Sequence, residues 1–226
     1  MARYEIYDLG GNPTAIIFIE GEISPEQIMK DNPEVEQVAI IQSVKGDVCT
    51  FKMAGGEFCG NACRAVAEFM RRNYNKSKCK IIINGIVIDA NSDGKTSQIQ
   101  LEQNSLVKTC FENFVIMNGI THVIVKGQGN ETQARKIKKD ANDRGITSDA
   151  FGVMFLDGNA INPFVWVETA KTFYNETACL SGSIAAAIYL GATKIEIIQP
   201  TGSPYLIAFD GKTITAKGEV KYVSGT

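Results

Sequence analysis

Two cysteines occupy similar positions in two similar stretches of the chain. Cys59 lies in FCGNACRAVA and Cys179 in ACLSGSIAAA, 179 − 59 = 120 residues further along. In both stretches small residues follow the cysteine, and the alanine-rich segment after it has the pattern of a buried helix. The sequence therefore predicts one cysteine at the N-terminus of a helix in each half of the chain.

A cysteine at the start of a helix is suited to proton transfer. The first N–H groups of a helix lack partners and carry a partial positive charge. This predicts a thiol pKa below its usual value of about 8.5. The same N–H groups can hold a carboxylate without a cationic side chain.

Two such helix ends facing each other would hold one carboxylate between them, with a sulfur on either side of its α-carbon. One thiolate would remove the α-proton, and the opposing thiol would deliver a proton to the other face. Such a racemisation needs no pyridoxal cofactor. On the residues alone, two packed thiols under unrelated turns are an equally good alternative.

The elements around these cysteines repeat. Each half of the chain combines several short predicted strands with one alanine-rich helix. Residues 14–20 and 111–118 are each predicted as a single strand. This pattern predicts an α+β fold of two similar lobes, residues 1–110 and 111–226, with the last few residues of the chain joining the first lobe.

Composition limits the classes of function. The 226 residues carry a net charge of −2 without a basic block, which argues against nucleic acid or an anionic membrane as a partner. No apolar run approaches eighteen residues, and charges stand where the apolar core of a signal peptide would lie. We therefore expect a cytoplasmic protein.

The other cysteines are expected to be reduced and structural. None of the six forms a C-x-x-C motif, and the chain has a single histidine, so no metal site is predicted. Because cysteine is among the residues most often buried, we predict that Cys49, Cys63, Cys79 and Cys110 are small core residues.

The motifs FCGNACR and ETACLSGSIAAA, with GGNPTAIIF near the start, resemble those of the diaminopimelate epimerase superfamily. Further stretches resemble the histidine racemases of opine-type metallophore synthesis within it: EQVAII, MAGGEFCGNA, GVMFLD, QPTGS and KGEVKYV. The resemblance covers nearly the whole chain. It implies two pseudo-symmetric lobes, each a curved, mostly antiparallel sheet around a central helix, and an amino-acid racemase or epimerase without a cofactor or metal.

The resemblance also implies roles for residues of this chain. Cys59 and Cys179 match the two catalytic cysteines. The positions whose backbone N–H groups hold the substrate α-carboxylate are matched by Gly60, Asn61, Leu180 and Ser181.

Four further matches have open roles. Asn12 matches an asparagine that lines the pocket, and Glu36 matches an acid that could hold the ammonium or imidazole of the substrate or be a solvated strand-end charge. Glu176 could meet the α-ammonium or cap the helix. His122 matches a histidine near the site, although a lone histidine on an apolar strand is more often structural.

Departures from the superfamily pattern bear on the substrate. The second cysteine is followed by LSG instead of G-S-G, and no Glu-Arg pair stands in WVETAKTFYNETAC. Without that arginine, a second substrate carboxylate would be buried without donors. Histidine is therefore the first choice of substrate, with diaminopimelate or a related amino acid as the alternative.

Two rival classes of function are a non-catalytic amino-acid-binding protein and a thiol redox protein. The presence of both cysteines disfavours the first, and their wide spacing in sequence disfavours the second. The expected partner is a small amino acid; a homodimer is one alternative for the oligomeric state.

Overall fold

A computed structural model describes residues 4–18 and 23–225. The elements of its first half are, in chain order, β1 (Tyr4–Asp8), β2 (Pro13–Ile17), α1 (Pro25–Asp31), β3 (Gln37–Lys45), β4 (Val48–Met53), α2 (Gly60–Tyr74), β5 (Lys78–Ile83), β6 (Ile86–Ser92), β7 (Thr96–Glu102), α3 (Gln103–Leu106) and β8 (Val107–Phe111).

The second half begins with a strand that forms a hairpin with β8. Its elements are β9 (Phe114–Met117), β10 (Ile120–Lys126), α4 (Glu131–Asp143), β11 (Ala150–Asp157), β12 (Ala160–Val167), β13 (Thr172–Asn175), α5 (Leu180–Tyr189), β14 (Lys194–Ile198), β15 (Pro204–Phe209), β16 (Thr213–Glu219) and β17 (Lys221–Gly225).

The two halves repeat the same strand pairings in the same order. In the first half, the β1–β2 pairing is antiparallel, β2–β3 is parallel and β3–β4 is antiparallel. After α2, β5 pairs parallel with β4, and the β5–β6 and β6–β7 pairings are antiparallel. In the second half, β9 to β12 and then β14 to β16 pair in the same senses around α5. The duplication seen in the cysteine motifs is thus a duplication of topology.

The last strand of each half pairs with the first strand of the other half. β8 pairs with β9, β17 pairs with β1, and β7 pairs with β16 where the two sheet halves meet. We propose that the lobes follow these pairings. On that division β17 joins the N-terminal lobe, and β8 belongs with the C-terminal one, so that the boundary lies a few residues before 110.

The sheet halves curve around the two central helices. Every residue of α2 from Gly60 to Met70 is buried, as the alanine-rich pattern predicted. α5 is buried in the same way from Leu180 to Ala187. Small residues are needed because strands surround each helix. None of the helices in the described ranges is long and apolar enough to cross a bilayer.

Three predictions about local structure differ from what is seen. Residues 111–118 are not one strand, because Glu112 has a left-handed φ of 51° and turns the chain from β8 into β9. Cys110 lies on β8 and is exposed, whereas the other cysteines are buried as predicted. The strand predicted over 14–20 ends at Ile17, and residues 19–22 lie outside the described part of the chain.

Candidate active site

The two cysteines have the same geometry at the starts of the central helices. Cys59 is the N-cap of α2, with φ −128° and ψ 110°, and its sulfur accepts the N–H of Ala62 at 3.3 Å. Cys179 is the N-cap of α5, with φ −130° and ψ 107°, and its sulfur accepts the N–H of Gly182 at 3.4 Å. Both cysteines line one cleft between the two halves of the chain.

The helix starts approach each other closely because one of them begins with glycine. A Cβ atom at Gly60 would lie 2.8 Å from Cδ2 of Leu180 and 3.1 Å from its Cβ. Leu180 is itself buried at the first position of α5. The pair Gly60 and Leu180 therefore sets the spacing between the two cysteine-bearing helices.

The backbone N–H groups at these helix starts are available to a ligand. Gly60 and Asn61 open α2, and Leu180 and Ser181 open α5, so their N–H groups have no acceptor within their own helices. Among the described residues no carbonyl of another element accepts from them either. All four residues line the cleft, where their N–H groups could hold a carboxylate.

The Asn61 side chain joins the two motifs instead of facing a ligand. Its Nδ2 donates to the carbonyl of Ala178 at 2.9 Å, and its Oδ1 accepts the hydroxyl of Tyr205 at 3.0 Å. Asn61 is buried, with 1% of its surface exposed. This side chain holds the residue before Cys179 against the start of α2.

A glutamine that the sequence reasoning missed connects Cys59 to Glu176. Gln37 accepts the Cys59 thiol through Oε1 at 2.9 Å and donates through Nε2 to Oε1 of Glu176 at 3.1 Å. The other carboxyl oxygen of Glu176 is buried without a hydrogen-bond partner. Burial raises the pKa of Glu176 to about 8.

His122 reaches Cys179 through a serine. Its Nε2 lies 3.0 Å from the Ser181 hydroxyl, which lies 3.6 Å from the Cys179 sulfur. Burial lowers the pKa of His122 to about 3, so that the ring is neutral, and its Nδ1 has no partner. His122 is thus buried in contact with the site and does not line the cleft.

Glu36 lines the cleft, and Asn12 lies behind Glu36 and donates a hydrogen bond to it. The Glu36 carboxylate accepts hydrogen bonds from Nδ2 of Asn12 and from the Thr177 hydroxyl, the latter at 2.7 Å. Thr177 N–H also donates to it at 3.2 Å. The buried Asn12 is absent from the cleft wall, which differs from the pocket-lining position that the resemblance implied.

The pKa of the two thiols is raised, opposite to the prediction from helix position. Burial raises the pKa of both Cys59 and Cys179 well above the ordinary value. Neighbouring carboxyl groups raise these pKa values further. Glu57 and Glu176 act on Cys59, and Glu176 acts on Cys179. The N–H donors at the helix starts act against these effects and are outweighed, so that the shift favours the thiol form of both cysteines.

The chain is similar in sequence to known proteins. Two histidine racemases, from two strains of Fusobacterium nucleatum subsp. nucleatum, are each 28% identical to the chain over 86% of its length and 82% and 83% of theirs. No family model matches the sequence.

Solved structures share the fold at low sequence identity. A hydroxyproline epimerase from Agrobacterium vitis with bound trans-4-hydroxy-L-proline superposes with a TM-score of 0.60 at 11% identity, over 99% of this chain and 91% of that one. A phenazine biosynthesis protein of the PhzF family from Enterococcus faecalis gives 0.58 at 13%, over 98% and 96%. The chain thus shares the two-lobed fold of these proteins, and its sequence is similar to that of histidine racemases.

The similarity to racemases in sequence and in fold supports an isomerase of the amino-acid racemase type. The cleft gathers most residues that the superfamily motifs indicated: Glu36, Cys59, Gly60, Asn61, Glu176, Cys179, Leu180 and Ser181. Asn12 and His122 lie one contact behind it. No group of His, Cys, Asp or Glu among the described residues could hold a metal ion.

Gln37 and Glu57 are polar residues of this cleft that the sequence did not reveal. Each stands beside a motif that was noticed, Gln37 in EQVAII and Glu57 in MAGGEFCGNA. The sequence did indicate that both are polar residues within or next to a motif. It could not say whether the side chains face the cleft or solvent.

Proposed function

We propose that the chain is a histidine racemase that inverts the α-carbon between Cys59 and Cys179 without an organic cofactor. The observation that carries this proposal is the equivalence of the two sulfurs. Each caps a central helix with the same backbone angles, and both line one cleft. Two bases in such equivalent settings suit a reaction whose substrate and product are mirror images.

In the proposed reaction the α-carboxylate lies on the N–H groups that open α2 and α5. One cysteine, as thiolate, takes the α-proton, and the bonding electron pair of the C–H bond passes to the α-carbon and carboxylate. The N–H groups stabilise the added negative charge. The opposing thiol then donates its proton to the other face, so that each turnover exchanges the protonation states of the two sulfurs.

Substrate binding supplies the charge that makes a thiolate accessible. In the empty cleft, burial and then the carboxylates of Glu57 and Glu176 raise the pKa of Cys59. An ammonium group beside the unpartnered oxygen of Glu176 would offset the carboxylate contribution at both thiols. Deprotonation of one cysteine is therefore coupled to the arrival of an amino acid.

Histidine is preferred over diaminopimelate because of the charges in the cleft. Among the described residues that line it there is no lysine, arginine or histidine to meet a second carboxylate. Glu36, held by Asn12 and Thr177, offers negative charge to an ammonium or imidazole group. Diaminopimelate or another amino acid is the alternative substrate, and a non-catalytic amino-acid-binding protein is the rival without turnover.

A panel of L-amino acids in D₂O tests the proposed reaction. With reductant present, we expect histidine to acquire deuterium at the α-carbon and to yield its D-enantiomer faster than diaminopimelate, measured as kcat/KM by NMR and chiral chromatography. Faster turnover of diaminopimelate would replace the substrate and leave the cysteine roles intact. Failure of every amino acid to exchange would contradict racemisation.

A further inference from the structure

Glu57 is a cleft residue with an unpartnered carboxyl oxygen. It lies in the turn between β4 and α2, two residues before Cys59, and it lines the cleft. Its Oε2 is buried and has no hydrogen-bond partner. Burial raises the pKa of this carboxyl group. An uncompensated buried carboxylate destabilises a fold unless a ligand or partner meets it.

The turn leaves room for this carboxylate. A Cβ atom at Gly55 would lie 2.5 Å from Oε2 of Glu57 and 2.7 Å from Cγ1 of Val167, a residue of the second half that also lines the cleft. The absence of a side chain at Gly55 therefore allows the carboxylate to lie against the wall formed by β12. Any larger residue there would displace it.

The other two acids of the cleft each accept hydrogen bonds from side chains of the protein. Glu36 accepts from Asn12 and twice from Thr177. Glu176 is buried, with 6% of its surface exposed, and its Oε1 accepts a hydrogen bond from Gln37. Its Oε2 has no hydrogen-bond partner. The Glu176 carboxyl group also raises the pKa of Cys179. Glu176 is thus placed near the reacting carbon, where the α-ammonium group would be.

Glu57 has no side-chain partner among the described residues and is therefore free, together with Glu36, to meet the side chain of the substrate. We propose that Glu57 is a specificity-determining residue whose unpartnered oxygen accepts the N–H of a basic side chain, which restricts the site to amino acids with such side chains. The inference rests on the proposed function for the identity of the ligand as an amino acid. It adds a second acid, besides Glu36, that selects the side chain.

The test compares two amino acids of similar shape on wild-type protein and on Glu57→Gln. L-Histidine carries ring N–H groups, and L-β-(2-thienyl)alanine carries a five-membered ring without them. We expect the wild-type protein to prefer histidine and Glu57→Gln to lower the ratio of the two kcat/KM values by roughly ten- to hundredfold, the range for a hydrogen bond to a charged group. Glu102→Gln, an exposed change of the same type at the end of β7, should leave the ratio unchanged.

Binding measured by calorimetry separates this inference from the proposed reaction. If no amino acid racemises, racemisation fails, but charge-selective binding that Glu57→Gln removes would still support the role of Glu57. If histidine racemises and Glu57→Gln keeps the wild-type ratio, the role of Glu57 is overturned while the reaction stands. Absence of binding by both ligands would overturn both.

Gly55→Ala provides a second variant in case Glu57→Gln does not fold. Its Cβ would displace the Glu57 carboxylate, although the substitution changes no charged residue. We expect it to lower the histidine preference in the same direction as Glu57→Gln. An unchanged preference in a folded Gly55→Ala protein would contradict the inference.

Discussion

Replacing either Cys59 or Cys179 by alanine is expected to lower kcat for racemisation by roughly 10²–10⁴-fold or more, the contribution of one general acid or base. In the proposed reaction each thiol serves one face of the α-carbon, so neither can substitute for the other. Racemisation is measured by circular dichroism of the amino acid under reducing conditions. Near-full turnover by either variant would refute the two-base assignment.

Cys63 provides the matched control for these variants. It lies one turn further along α2, is equally buried and does not line the cleft. Cys63→Ala should lower the free energy of unfolding by about 1 kcal/mol and leave kcat close to the wild-type value. A loss of activity in Cys63→Ala as large as in Cys59→Ala would show that the effect is one of packing.

The Cys59→Ala and Cys179→Ala variants should also differ from each other in isotope exchange. In Cys59→Ala the remaining thiol faces one side of the α-carbon only. It can remove a proton and return a deuteron to that same side. Any residual α-exchange in D₂O should therefore affect one enantiomer in Cys59→Ala and the other in Cys179→Ala. Exchange of both enantiomers by one variant would contradict facing thiols.

Gly60→Ala is expected to lower kcat/KM by about 10²-fold while the fold persists. The new Cβ would stand 2.8 Å from Leu180, a buried side chain at the start of α5, so the two helix starts must move apart. Small displacements of reacting groups can reduce rates by this factor. The strain should lower the free energy of unfolding by about 1–3 kcal/mol.

A double-mutant cycle distinguishes this clash from a general defect. Leu180→Ala removes the atoms that the new methyl group would meet. The variant with both changes should be more active than Gly60→Ala alone, with a positive coupling between the two sites. Activity of Gly60→Ala near the wild-type level, or no recovery in the double variant, would show that the spacing of the helices does not matter.

Features of the fold that depend on a local sequence pattern could be predicted from the sequence. The alanine-rich segments after Cys59 and Cys179 predicted two buried helices with cysteines at their starts, and their separation by about half the chain predicted a repeat. Both predictions are confirmed by the fold. The resemblance to the racemases and the isomerase class followed from the same motifs.

Features that depend on distant contacts could not be read in this way. The pairing of β8 with β9 places the last strand of the first half beside the second half, and no local pattern reports it. Only the association of the last residues with the first lobe was expected, and there β17 pairs with β1. The direction of the thiol pKa shift was wrong. Burial and the carboxylates of Glu57 and Glu176 are properties of the assembled cleft and outweigh the helix starts.

The timing of isotope entry tests the two-cysteine reaction most directly. L-Histidine is incubated in D₂O with the reduced protein and the mixture is quenched at low conversion. Because one sulfur takes the substrate proton and the other supplies a solvent-derived deuteron, the D-histidine formed should carry deuterium at its α-carbon while the recovered L-histidine still carries protium. D-Histidine that retains the original protium, or deuterium entering both enantiomers at the same initial rate, would contradict the account.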